Sequence, residues 1–254
     1  MRTGGFVKAG SETRKRLIVA VDGLEKCGKN HFAFTAPGPI AVQSFDIGID
    51  GVVQKFQKEK DIYVSERRLE LPGVLIKEAE AQVVSNAAQK AWKEITGDYK
   101  DALATKEIRS LIWDTGTEMW EILRLARFGK LTQVMPHHYG PVNAEYRDLL
   151  RLAYDGEKHL IILHKMKEAY KNDKPSGEYK RAGMSDTGFL VQVSGRVWKD
   201  PGESAVPDKF HFTIEECRFN PELEGLDFAG KECCFPMVAS YVLYGDDEHV
   251  EEFL

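Results

Sequence analysis

Gly23-Leu24-Glu25-Lys26-Cys27-Gly28-Lys29-Asn30 matches the phosphate-loop pattern G-x-x-x-x-G-K-[ST] at every fixed position but the last. The flanks are what such a loop needs. Leu17-Ile18-Val19-Ala20-Val21 before it reads as a buried parallel strand, and His31-Phe32-Ala33-Phe34-Thr35-Ala36 after it reads as the first turns of a helix. Strand, glycine loop and helix start together make an anion trap: backbone N–H groups point inward and Lys29 reaches the terminal phosphates. His31 is grouped with residues 23–30 as nucleotide-contacting. The alternative is a chance glycine turn. At the last position Asn30 replaces the Ser or Thr whose hydroxyl normally meets Mg²⁺. Its amide oxygen is still a hard ligand. Weakened hydrolysis, or a metal held mostly by phosphates, water and a second carboxylate, are both open at this stage.

Outward from the loop, strands and helices alternate. Strands are expected at about 16–22, 40–45, 110–113 and 160–163, with further strands at 189–193 and 209–214. Helices are expected to about Thr35, over 78–96, 116–128 and 143–156. A polar stretch covers 54–70. This order predicts a three-layer α/β core, a mostly parallel sheet with helices on both faces, and β-hairpin structure toward the C-terminus. Residues 1–15 read as a loose arm, 16–245 as a single domain and 246–254 as an acidic, solvated tail.

Ligands of such sheets lie at the carboxyl ends of the strands. That rule gathers the loop, Asp46, Asp114 and His164 around one phosphate group. Asp114 ends Leu111-Ile112-Trp113-Asp114, the layout of an Mg²⁺-holding carboxylate; the alternative is a helix cap. Asn30 and Asp114 are the expected metal ligands. Asp46 can activate water, or merely sit in a turn before Gly48. Glu118, one helical turn past Asp114, faces either the site or solvent. His164 at a strand tip is placed to sense the terminal phosphate. The segment after it carries Lys165, Lys167, Lys171, Lys174, Lys180 and Arg181 with Tyr170 and Tyr179, and Asp173–Gly177 reads as its turn. Lysines neutralise phosphates and tyrosines stack on bases, so a nucleic-acid contact and a solvated charged hairpin are both open readings of this segment. Arg218 reads as a finger toward a neighbour's nucleotide or as an ordinary surface arginine.

Composition bounds these readings. The chain has 254 residues, 43 % apolar and 30 % charged, with a net charge of −5, so any DNA contact must come from a local patch. No apolar run suggests a membrane span or a secretory signal. Cys27, Cys217, Cys233 and Cys234 read as reduced thiols. A zinc site from His211 and the last three would match no common spacing.

The loop, Ala36-Pro37-Gly38-Pro39-Ile40-Ala41-Val42, Asp46-Ile47-Gly48-Ile49-Asp50-Gly51-Val52, Leu111–Thr115, Asn143–Arg147 and Ile161–Tyr170 together resemble phage-encoded RecA-like P-loop ATPases of the single-strand-annealing or recombination type, over roughly 16–225. The resemblance implies a RecA-like core that binds ATP and Mg²⁺, assembles on single-stranded DNA as a homo-oligomeric ring or filament, and works with a phage single-strand binding protein in the cytoplasm of a bacterial host. It also implies that Asp46 stands where RecA has Glu. Two other readings remain: a module that holds nucleotide with little hydrolysis, and a small-molecule P-loop kinase.

Overall fold

The computed structural model describes residues 2–3, 6–7, 15–46, 49–71, 79–129, 134–200 and 209–254. A two-residue ladder, Arg2–Thr3 with Phe6–Val7, precedes the main body; most of the expected N-terminal arm lies outside the described residues. Ten further strands follow: β1 (Ile18–Asp22), β2 (Ile40–Ser44), β3 (Ile62–Glu66), β4 (Ser110–Asp114), β5 (His159–His164), β6 (Met166–Lys171), β7 (Lys174–Arg181), β8 (Val193–Asp200), β9 (Lys209–Cys217) and β10 (Asp227–Ala229). The α-helices are α1 (Lys29–Phe34), α2 (Asp50–Phe56), α3 (Ala81–Ala104), α4 (Gly116–Phe128), α5 (Tyr139–Asp155), α6 (Thr187–Leu190) and α7 (Phe235–Tyr244).

Eight strands form one sheet in the order β10-β9-β8-β1-β5-β4-β2-β3. The six from β8 to β3 are parallel, and β9 and β10 extend the sheet antiparallel. The two-residue side-chain period divides each central strand between two cores. Ile18 and Ala20 of β1, Leu111 and Trp113 of β4, and Leu160 and Ile162 of β5 pack with α3, α4 and α5. Val19, Val21, Ile112, Ile161 and Leu163 pack on the other face with α1, α2 and α7. The expected three-layer α/β architecture is therefore present.

Several boundaries differ from the sequence reading, each for a physical reason. Strand β3 lies inside the expected polar stretch. It is an edge strand with Tyr63 and Val64 exposed, so its apolar alternation is weak. Helix α3 runs past Gly97 to Ala104 because Trp92, Ile95 and Tyr99 continue one buried face. The 189–193 segment is not a strand throughout: α6 takes Thr187–Leu190, and β8 starts at Val193. In the hairpin β6–β7 the turn is Asn172-Asp173, both at positive φ (54° and 59°), and Pro175 lies within the ladder opposite Tyr170. A two-residue turn needs positive φ at both positions, and Asn-Asp supplies it. Helix α7, not expected, has Pro236 in its first turn and Gly245 at φ 92° after its end. The acidic C-terminal stretch folds back. Phe253 is buried, Arg109 donates to the carbonyls of Glu252 and Leu254, and Lys15 pairs with Glu252 at 2.6 Å. Among the described residues no helix is long and apolar enough to cross a membrane.

Phe32 of α1 stacks on Phe212 of β9, ring centroids 4.5 Å apart and planes within 5°. This contact fastens the helix behind the loop to the antiparallel edge. Phe32→Ala is expected to cost about 3–5 kcal/mol in urea unfolding, against a change within about 0.5 kcal/mol for the exposed Phe189→Ala. Equal effects from the two would mean that this stack does not anchor α1.

Candidate nucleotide-phosphate site

Parallel pairing aims the ends of β1, β2, β4 and β5 at one edge of the sheet. The chain leaves β1 at Asp22 and turns at once into the glycine loop. Gly23 has no room for a side chain: a Cβ there would lie 2.5 Å from Cys27 Sγ and 2.7 Å from the Val197 carbonyl oxygen. Gly28 sits at φ 99° with a Phe210 ring carbon 2.9 Å from where its Cβ would stand. The loop is thus shaped by close approach of β8 and β9. Lys29 Nζ donates to the carbonyls of Gly23 (2.9 Å) and Leu24 (2.6 Å), which keeps the ammonium over the loop. Because α1 has only six residues, an anion here would depend on the loop amides and Lys29 more than on a helix dipole.

Asn30 Nδ2 donates to Asp114 Oδ2 at 2.9 Å, joining the loop to the tip of β4 across 84 residues of sequence. The helix-cap alternative for Asp114 falls away, since the Thr115 hydroxyl accepts from Glu118 N–H at the start of α4. Asp114 is 7 % exposed, and its carboxyl is pushed up to about 6. Burial is the main cause and the Asp46 charge adds to it, while the Asn30 hydrogen bond, Lys29 and Lys165 oppose it. A buried carboxylate of this kind favours a cation beside it. The donor set suits Mg²⁺: Asp114 supplies a carboxylate, and Asn30, with its nitrogen committed to Asp114, supplies an amide oxygen. No cluster of three or more His, Cys, Asp or Glu that could hold a metal exists among the described residues. An ion held by phosphates, water and one carboxylate needs none.

Lys165 follows β5 and pairs with Asp46 and with Glu118, both at 2.6 Å. It therefore belongs to the site and not to the exposed hairpin. Its main-chain N–H donates to Thr117 Oγ1, which in turn donates to the Ala182 carbonyl. Arg181, at the other end of the hairpin, donates to Asp22 Oδ1 at 2.7 Å. Asp22 is 3 % exposed; burial raises its carboxyl and Arg181 opposes the rise. Both ends of the hairpin are thus tied to the strand ends that carry the loop and Asp46.

The remaining expected residues have other surroundings. His164 is fully buried; burial, with a smaller push from Arg181, holds its ring well down, to about 3, and so neutral. Its Nδ1 lies 3.3 Å from the Ala182 carbonyl oxygen. It is in register with Asp22 of β1 and packs against Gly116 and Thr117. His31 packs edge-on against Phe56 of α2. Arg218 is at the opposite edge of the sheet: its N–H donates to the Gln192 carbonyl, level with the start of β1, and its side chain bonds the Phe189 carbonyl. Lys167, Lys171, Lys174 and Lys180 are exposed on the hairpin with Tyr170 and Tyr179. His211 is bonded to Asp227, and Cys217 lies six residues along β9 from it, so these two do not converge. Asp22 and the site role of Lys165 were missed; an acid ending an apolar strand just before the loop was the available signal for the first.

No family model and no curated protein matches the sequence. Among solved structures, the KaiC-like protein PH0186 from Pyrococcus horikoshii is similar at 12 % identity, covering 84 % of each chain, with a TM-score of 0.42. The flagellar accessory protein FlaH from Methanocaldococcus jannaschii is similar at 9 % identity, also covering 84 % of each chain, with a TM-score of 0.42. The fold described above stands on the strand order and the loop, independently of these likenesses.

The raised carboxyl of Asp114 gives two expected outcomes. Its native value lies above the unfolded value of 3.8, so its ionisation opposes folding, and the cost develops as pH rises from about 4 through 6. Asp114→Asn keeps an acceptor for Asn30 and should be more stable than wild type above pH 6, on the order of 2–3 kcal/mol, with the gap closing toward pH 4. The gain in nucleotide affinity from Mg²⁺ should weaken below about pH 6 in wild type and be lost at every pH in the variant. Equal unfolding curves and an unchanged Mg²⁺ effect would remove Asp114 from the site.

Proposed function

We propose that this protein is a RecA-like ATPase that binds Mg·ATP at the loop of residues 23–30 and single-stranded DNA along the hairpin β6–β7. The observation that carries the reading is the hydrogen bond between Asn30 and Asp114, which brings the loop lysine and a buried strand-end carboxylate to one place. Loop amides and Lys29 hold the phosphates. Asp114, with the Asn30 amide oxygen, holds Mg²⁺, which when bound neutralises charge on the terminal phosphates. Asp46 orients and deprotonates the attacking water. Its partner Lys165 stands ready to balance charge that grows on the phosphoryl oxygens.

For DNA, the support is narrower: four exposed lysines and two exposed tyrosines on a ribbon whose base is tied to the site. Glu168, Asp173 and Glu178 dilute its charge. Phage recombination, a single-strand binding protein as partner and assembly into a ring or filament follow from the sequence resemblance, and Arg218 at the far edge is the residue to examine between subunits.

A second reading has its own observation. The Asn30 amide is bound to Asp114, and Asp46 is ion-paired with Lys165, so the site also suits a module that holds nucleotide and turns it over slowly.

Lys29→Ala is expected to abolish ATP binding while the circular dichroism spectrum stays that of the folded chain; unchanged affinity would end the phosphate-loop reading. ATP hydrolysis with Mg²⁺ should rise with single-stranded DNA and lose that stimulation as salt increases, because phosphate contacts release counterions. Replacing Lys167, Lys171, Lys174 and Lys180 by Gln should remove the stimulation and spare basal turnover. Binding without turnover in wild type, with turnover restored in Asn30→Thr, would favour the nucleotide-holding module.

A further inference from the structure

A cleft of about 610 Å³ opens directly beside the phosphate loop. That volume falls within the range of small-molecule pockets. Leu24 and Cys27 of the loop form one wall, Arg196, Val197 and Trp198 of β8 another, and Tyr179 of the hairpin a third. The loop is shared between the two features, so a nucleotide with its phosphates on Lys29 places its remaining atoms within reach of this cleft.

Trp198 is built to present a ring there. One face stacks on His211, with centroids 4.0 Å apart and planes within 15°. Its Nε1 donates to Thr213 Oγ1 at 2.9 Å, and Thr213 donates to Asp227 Oδ1 at 2.7 Å. His211 Nδ1 donates to the other Asp227 oxygen at 2.6 Å. The indole is therefore fixed behind and along its edge by a closed set of partners. It nevertheless remains 38 % exposed and lines the cleft. A large aromatic ring held rigid on one side and left open on the other is a stacking platform, and it pays little ordering entropy when a second ring arrives.

We propose that the cleft is the nucleoside subsite, in which the base of the bound nucleotide stacks on Trp198. The inference rests on the loop being a nucleotide-phosphate site. The base is recognised by its π-face, and the polar group nearest the indole, Thr213, is already engaged on both sides. Stacking of this kind tolerates any base, so the subsite adds affinity for nucleosides over bare phosphate and reads purine identity weakly.

The test is calorimetric titration with inorganic tripolyphosphate, ATP and GTP, on wild type, Trp198→Ala, Trp198→Phe and Lys29→Ala. The expected result for Trp198→Ala is a roughly tenfold or greater loss of affinity for ATP and GTP alike, with tripolyphosphate unchanged. Trp198→Phe should recover most of the loss, since it keeps a ring. Quenching of tryptophan fluorescence by ATP but not by tripolyphosphate should vanish in Trp198→Phe. ATP affinity unchanged in Trp198→Ala, with tripolyphosphate still bound, overturns the subsite. So does an equal loss for ATP and tripolyphosphate, which would assign the effect to a disturbed loop. Tripolyphosphate binding that is absent in wild type, or indifferent to Lys29→Ala, instead overturns the phosphate-loop reading beneath it.

Discussion

The rest of the molecule depends on β1 being buried on both faces in the middle of a parallel sheet. Its residues from Ile18 to Val21 are fully buried, between β8 on one side and β5 on the other. Such a strand satisfies every backbone group through its neighbours and leaves no polar side chain along its length. Polarity is therefore driven to its end, at Asp22. The neighbouring strands obey the same constraint and run the same way, so β2 is followed by Asp46, β4 ends in Asp114 and β5 is followed by Lys165 along one edge. The clustering of charge is a consequence of hydrophobic strands aligned in parallel. The loop between β1 and α1 then has a ready-made set of partners.

That cluster carries an internal balance. Asp22, Asp46, Asp114 and Glu118 meet Lys29, Lys165 and Arg181 within one edge of the sheet. The two cations that close direct ion pairs, Lys165 and Arg181, bracket the hairpin β6–β7 in sequence. Arg181 with Asp22 is the more buried pair, and removing one partner of such a pair leaves a desolvated charge. Lys165 with Asp46 and Glu118 is about two-fifths exposed and correspondingly softer. The hairpin thus has one firm and one yielding attachment to the phosphate edge.

The parts legible in the sequence were those whose signal is local. The apolar runs of β1, β2, β4 and β5, the loop glycines and the acids Asp46 and Asp114 could all be read directly, as could α4, whose bounds agree with the expected 116–128. Edge strand β3 was hidden because one side faces water, and α7 because an all-round apolar helix has no period to detect. The ion pairs of Lys165 and Arg181 were not legible for a different reason. In sequence they belong to a run of lysines, and only the folded strand ends reveal that two of the six basic residues face carboxylates. His164 shows the same limit: its complete burial and neutral ring were not legible from its place at a strand tip.

Asn30 is the residue in which these constraints meet. A Ser or Thr hydroxyl uses one oxygen both to donate to a carboxylate and to meet a cation. An amide divides the two tasks between different atoms: nitrogen toward Asp114, oxygen elsewhere. Charge on a bound phosphate would be balanced by the protein groups around it. Lys29 stands over the loop and Lys165 on the Asp46 side, so two ammonium groups flank the space where that charge would lie. The substitution at the end of the loop and the lysine at the end of β5 thus meet at one edge: Asn30 ties the loop to Asp114, and Lys165 ties Asp46 to Glu118 beside it.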